Sequence, residues 1–331
     1  MKANRVLPII FAATMAASIA AAQGAKPKPT GQMPGASAKI GTPYKLGETG
    51  KELQFTLEQA EFATRFMIDN DTIVATPDHR LLVISFAVQN PAKVDRQFNS
   101  NSFKFTVVSP DDENFVVAAQ IVHPERRTIL DMNLKPTQKV RAMAYVMIHG
   151  QGPVNKLMIQ RGEKTPVLRY DLHDQVKPLA NVFAADQGKG SLNQGAGIMK
   201  VPFELGPFDL AVDSQEDIPA IGDWKPDEGK KLVVLHMVMT NVSMVKYWST
   251  GEYQYKLFDE DGDEIEPAAI LKNSSEENFY TNPEPNSPMK YRLLFYAPVK
   301  AKLTKIVVTH LPSGRAVLIP LPVPGDALSR P

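Results

Sequence analysis

The feature that most constrains this chain is that it repeats itself. Leu81-Leu82-Val83-Ile84-Ser85-Phe86-Ala87-Val88-Gln89-Asn90 lies over Leu232-Val233-Val234-Leu235-His236-Met237-Val238-Met239-Thr240-Asn241, with position 90 meeting position 241, an offset of 151. Phe103-Lys104-Phe105 lies over Tyr253-Gln254-Tyr255 at an offset of 150. Lys156-Leu157-Met158-Ile159 then lies over Lys305-Ile306-Val307-Val308, and Leu168 to Leu172 over Val317 to Leu321, both at 149. Four segments in one order at nearly constant spacing point to a duplicated domain, and loop-length variation accounts for the drift. A period of this length is a whole domain rather than a solenoid unit.

Within each repeat the apolar residues alternate, as in Leu53, Phe55 and Leu57 or Phe208, Leu210 and Val212. Period two is the signature of half-buried strands. Leu82, Ile84, Phe86 and Val88 share one strand face, and Val233, Leu235, Met237 and Met239 share the equivalent one. Turn signals such as Pro110-Asp111-Asp112 and Asp261-Gly262-Asp263 punctuate short strands, which predicts an all-β sandwich in each repeat.

The ends and the middle read differently. Lys2 and Arg5 precede an apolar run from Val6 to Ala22 closing on Ala20-Ala21-Ala22, the pattern of a secretory signal peptide cleaved to leave Gln23. Residues 23–42, rich in Pro, Gly and Lys, are expected to be a flexible leader. The sandwiches are then expected over 43–175 and 201–324. Residues 176–200, where Gly188, Gly190, Gly195 and Gly197 crowd together, form the expected glycine-rich linker. Pro178, Leu179, Val182 and Phe183 have the spacing of a short helix.

These segments resemble the immunoglobulin-like extracellular domains of unknown function found in exported bacterial proteins. The resemblance lies in Val88-Gln89-Asn90 and Met239-Thr240-Asn241, in Asp261-Gly262, and in the corners at Leu134-Lys135-Pro136 and Pro285-Asn286. Repeat one carries Asp112-Glu113-Asn114 in place of Asp-Gly, and neither corner has the family's glycine. The resemblance implies two tandem immunoglobulin-like sandwiches and an envelope-associated binding module without catalysis. It brings no functional residues with it.

Composition narrows the function further. The chain has no cysteine, which removes disulfides, thiolate metal sites, a lipidated cysteine and cysteine nucleophiles. Without Lys2 and Arg5, 35 of the 37 basic residues remain against 36 acidic ones, so charge does not recruit nucleic acid. No stretch after the leader is apolar for long enough to make a spanning helix.

The sharpest candidate site is acidic: Asp259, Asp261, Asp263 and Glu266 around Gly262 could converge on calcium. A hairpin turn with solvated acids is the simpler reading, since strands flank it and the glycine is out of place for a helix–loop–helix calcium loop. Tyr247 and Trp248 are candidate partner-binding aromatics, whereas Tyr253 and Tyr255 align with Phe103 and Phe105 and are expected in the core.

Met237 and Met239 are expected to fill core rather than bind copper. Ser243-Met244-Val245-Lys246 and Ser287-Pro288-Met289-Lys290 match a bare S-x-x-K but lack its helix and partner motifs. The histidines show no zinc spacing. The expectation is therefore an exported, periplasmic or extracellular, non-catalytic protein with no cofactor. It would bind a protein or glycan of the cell envelope, with a calcium module or a hydrolase of distant residues as alternatives.

Overall fold

The computed structural model describes residues 35–109, 113–117, 120–149, 152–179, 194–246 and 251–322. Alternating burial along the strands builds the architecture. In Leu53–Ala63, Leu53, Phe55 and Leu57 are fully buried. A register shift between Leu57 and Gln59 then bulges the strand, and Phe208–Ile218 shifts likewise between Val212 and Ser214.

In the first half of the chain one sheet runs in the order Lys139–His149, His79–Gln89, Leu53–Ala63, Tyr44–Leu46. Opposite it stand Gly35–Ala38, Val167–Asp171, Lys156–Gln160, Lys104–Val108 and Asn114–Val117. Phe55 and Phe86 from the first sheet pack with Phe103, which leads into Lys104–Val108. The ring centroids of Phe55 lie 5.0 Å from Phe86 and 5.2 Å from Phe103, so the two sheets share one core.

The second half pairs its strands in the corresponding order. Gln194–Ala196, Arg315–Pro320, Leu303–His310, Tyr253–Asp259 and Glu264–Ile265 form one sheet. Phe203–Leu205, Phe208–Ile218, Lys230–Asn241, Pro288–Pro298 and Ala269–Lys272 form the other. A second core, with Phe279 stacked on Tyr291 at 4.5 Å, lies between them. The fold is all-β, and among the described residues there is no helix.

Three local expectations are corrected. Gly35–Ala38, placed by composition in a flexible leader, is a strand pairing in parallel with Val167 to Tyr170. Gln194–Ala196, placed in the linker, pairs in parallel with Ala316 to Leu318. Small residues suit these edges: a Cβ on Gly35 would collide with the Val167 carbonyl oxygen. Pro178 and Leu179 are not helical, because Lys177 bridges to Glu61 and Leu179 is buried in the second core; the rest of that segment lies outside the described residues. The central strands also depart from simple alternation. Leu81 and Val83 are buried on the outer face beneath Phe66 and Ile68, and Leu232 and Val234 are buried near Ile221 and Trp224.

Each half carries the same buried asparagine at the end of its central strand. Asn90 is fully buried; its Nδ2 donates to the carbonyls of Val94 and Leu134, both at 2.8 Å, and its Oδ1 accepts the Ala92 N–H at 3.0 Å. Asn241 is also fully buried, donating to Val245 at 2.7 Å and Pro283 at 2.8 Å and accepting the Ser243 N–H at 2.9 Å. Backbone bonds add to each clamp. The Thr137 N–H donates to the Asn90 carbonyl at 2.9 Å, and the Asn286 N–H to the Asn241 carbonyl at 2.6 Å.

Thr137 and Asn286 sit at φ +63° and +57°, so the corners keep the left-handed conformation that glycine favours without having the glycine. Asparagine tolerates this region, whereas a β-branched threonine is strained in it. Replacing Thr137→Asn should raise stability by roughly 0.5–1 kcal/mol, read as a higher urea midpoint at unchanged slope. An unchanged or lower midpoint would mean that the corner stores no strain.

Candidate functional site

The acidic turn closes on itself. Asp259 is 9% exposed, and its Oδ1 accepts the backbone N–H of Asp261 at 3.1 Å and of Asp263 at 2.9 Å. Gly262, at φ +85°, donates its N–H to the Asp259 carbonyl at 3.3 Å. This is the geometry of an aspartate-capped hairpin turn, in which one carboxylate substitutes for missing backbone partners. Asp261, Asp263 and Glu266 stay on the surface. Among the described residues no three His, Asp or Glu side chains gather to hold a metal ion. Tyr247 and Trp248 lie outside the described residues.

The other candidates have structural employment. Met237 and Met239 are 1% and 2% exposed in the second core. Tyr253 donates its hydroxyl to the Leu205 carbonyl at 2.7 Å, and Tyr255 shares a 2.8 Å hydrogen bond with Tyr291. Burial, the larger cause, pushes the Tyr255 phenol well above its usual range, and the same holds for Tyr291. Ser243 is buried with its Oγ donating toward Asn241 Oδ1 at 2.7 Å and the Val245 carbonyl at 2.8 Å. Lys246 pairs with Glu284 at 2.5 Å. His236 Nε2 lies 2.8 Å from Glu216 on the sheet surface.

Polar residues that the sequence did not single out join the two halves. Arg315, 1% exposed at the start of Arg315–Pro320, reaches into the first half. Its Nε donates to the Ala75 carbonyl, and its Nη2 to the carbonyls of Thr76 at 3.2 Å and His79 at 2.7 Å. The His79 ring lies 5.0 Å from that of His149 across the strand pair, and burial followed by that neighbour lowers its pKa.

On the same seam Arg65 Nη2 meets Asp209 Oδ1 at 2.7 Å, while its Nη1 donates to the Phe208 carbonyl at 3.1 Å. Thr64 Oγ1 donates to Glu204 Oε2 at 2.9 Å. Phe62 packs against both cores, with the Arg80 guanidinium 4.1 Å above its ring. Beside these contacts is a cavity of about 260 Å³ lined by Phe62, Arg65, Phe66, Arg127, Leu179 and Glu204, part apolar and part charged.

The arginines were missed because each is a lone residue whose partners are main-chain carbonyls or a side chain some 140 or more residues away. Only the aligned Asn90 and Asn241 carried a visible signal, their recurrence at a strand end.

No family model matches the sequence, and no curated protein matches it. Among solved structures, the chain is similar to an uncharacterized beta-sandwich protein from Clostridium difficile 630. They share 12% identity with a TM-score of 0.34, over 44% of this chain and 99% of that one. It is also similar to a secreted protein from Mycobacterium tuberculosis, at 15% identity and a TM-score of 0.32, over 41% of this chain and 97% of that one.

The seam gives a direct mutational test. Arg315→Met keeps the length of the stem but removes every donor aimed at Ala75, Thr76 and His79, a loss on the order of 3 kcal/mol for a buried charged donor. Thermal unfolding should fall accordingly. A melting temperature equal to that of the parent would show that the clamp does not stabilise the protein.

Proposed function

We propose that the protein is an exported, non-catalytic binding or scaffold protein of the bacterial envelope. It consists of two immunoglobulin-like sandwich domains in tandem, over 43–175 and 201–324, each extended by its parallel edge strand. The observation that carries the reading is the seam, where Arg315 spans three carbonyls of the other half and Arg65 pairs with Asp209. Charged groups buried across such a boundary fix one relative orientation, because breaking them leaves an unpaired buried cation. A fixed pair of sandwiches presents its loops to a partner in constant register, which suits a scaffold.

Export is supported by Lys2 and Arg5 ahead of the apolar run that ends at Ala22. The non-catalytic reading is supported by the employment of the polar residues. Asn90, Asn241, Ser243, Asp259 and Arg315 all satisfy main-chain groups. The partner class is a protein or glycan of the envelope.

Expressed in a bacterium, the chain should be recovered outside the cytoplasm with Gln23 as its first residue. That product should sediment with isolated envelopes without hydrolysing model esters, phosphoesters or glycosides. Retention of residues 1–22 in the cytosol, failure to sediment, or turnover of any of these substrates would contradict the proposal.

A further inference from the structure

A second cavity, of about 400 Å³, opens at one end of the first half, between the loops around 47–51, 97–102 and 161–162. Its volume is in the range of small-molecule sites, about 300–1,000 Å³. Its lining is mostly polar, with Glu48, Lys51, Gln97, Asn99, Asn101 and Arg161 among its residues.

Arg161 is one of the residues that line the cavity. Its carbonyl accepts the Thr165 hydroxyl at 2.7 Å, which holds the backbone. Its stem passes close to Gly47, where a Cβ would lie 2.9 Å from Arg161 Cδ and where φ is +122°. Its guanidinium carbon lies 5.8 Å from the Phe103 ring centroid. Yet its Nη1 is shielded from solvent and has no hydrogen-bond partner among the described residues. Arg96 stands near enough to repel it; Arg96 donates to the Gly50 carbonyl through Nη2, and its own shielded Nε likewise has no partner among the described residues. Burial first and Arg96 second both work against the charge on Arg161.

Buried donors without acceptors are costly, and the like charge of Arg96 adds repulsion. A negatively charged acceptor relieves both costs together. The one carboxylate in the lining, Glu48, is engaged by Lys51 at 3.0 Å on the exposed rim, with 65% of its side chain accessible. Around the guanidinium the rim supplies neutral groups. Asn99 Oδ1 already accepts the Asn101 N–H at 3.1 Å and the Ser102 hydroxyl at 3.3 Å, so its NH2 remains to donate. The exposed Gln97 amide adds a further donor and acceptor.

The second half does not repeat this arrangement. At the position 149 residues after Arg161 stands His310, 3% exposed, with Nδ1 2.8 Å from Ser313 and Nε2 3.8 Å from Glu252. There a carboxylate of the protein itself faces the ring. Among the described residues, the cationic cleft is found in the first half.

We infer that this cleft binds an oxyanion carried on a polyhydroxylated small molecule, a sugar bearing a carboxylate or phosphate. The anion would sit on Arg161 with Arg96 behind it, and the hydroxyls on the amides of Asn99 and Gln97. The inference rests on the binding reading above and gives it a ligand class.

The test is calorimetric titration of the purified full chain with glucuronic acid, glucose 6-phosphate, inorganic phosphate and glucose. At least one acidic sugar should bind saturably, more tightly than phosphate, while glucose gives no heat. Arg161→Gln should weaken that binding at least tenfold. Asn99→Asp, which keeps the Oδ1 acceptor but adds a negative charge, should do the same with the thermal melt unchanged. Absence of binding by both acidic sugars, binding unaltered in folded variants, or phosphate binding as tightly as the sugars would each overturn the inference. Envelope sedimentation by a chain that takes up no acidic sugar would sink the cleft alone and leave the scaffold reading standing.

Discussion

The structure depends on one recurring solution to one problem: the main-chain groups at the end of a central strand must find partners once the strand stops. Asn90 and Asn241 supply them from inside the protein. Each side chain ties together three stretches that the sheet ladder cannot reach, namely the loop just ahead, the segment leading to the corner some 42–44 residues on, and its own turn. An amide can do this because it carries two donors and an acceptor in one plane, whereas a carboxylate would offer acceptors only. Buried without those partners it would cost more than it contributes.

With the corners fixed, the strands that follow enter the sheet in register. Thr137 and Asn286 place Lys139–His149 and Pro288–Pro298 beside the central strands, and the cores close between the two sheets of each half. Polar groups do related work at the seam, where Arg315 satisfies the carbonyls of the 75–79 turn from the opposite half. The Arg161 cleft stands apart from this pattern. There the donors are shielded but unmatched, which is why it is read as a ligand site rather than as more framework.

Much of this was legible in the sequence. The alternation of Leu53, Phe55 and Leu57, and the alignment of Leu81 to Asn90 with Leu232 to Asn241, predicted the all-β sandwich and its long strands. Tyr253, Tyr255, Met237 and Met239 are buried as alignment with repeat one predicts. Composition misled where an edge strand is built of small residues: Gly-Ala-Ser-Ala at 35–38 reads as tail, but close parallel pairing wants little side chain. The acidic turn left a hairpin and a calcium loop both open, because spacing alone cannot show that Asp259 faces its own backbone. Arg65, Arg161 and Arg315 carried no local pattern, since a lone arginine takes its meaning from the carbonyls, rings or carboxylates that folding brings to it.

The most direct test of the asparagine account is residue-resolved hydrogen exchange on Asn90→Ala and Asn241→Ala. In the parent the amides of Ala92 and Thr137, and those of Ser243 and Asn286, should exchange slowly. Asn90→Ala should speed the first pair and spare the second, and Asn241→Ala should do the reverse. Exchange that stays slow at a variant's own corner would contradict the claim that these side chains hold the strand ends.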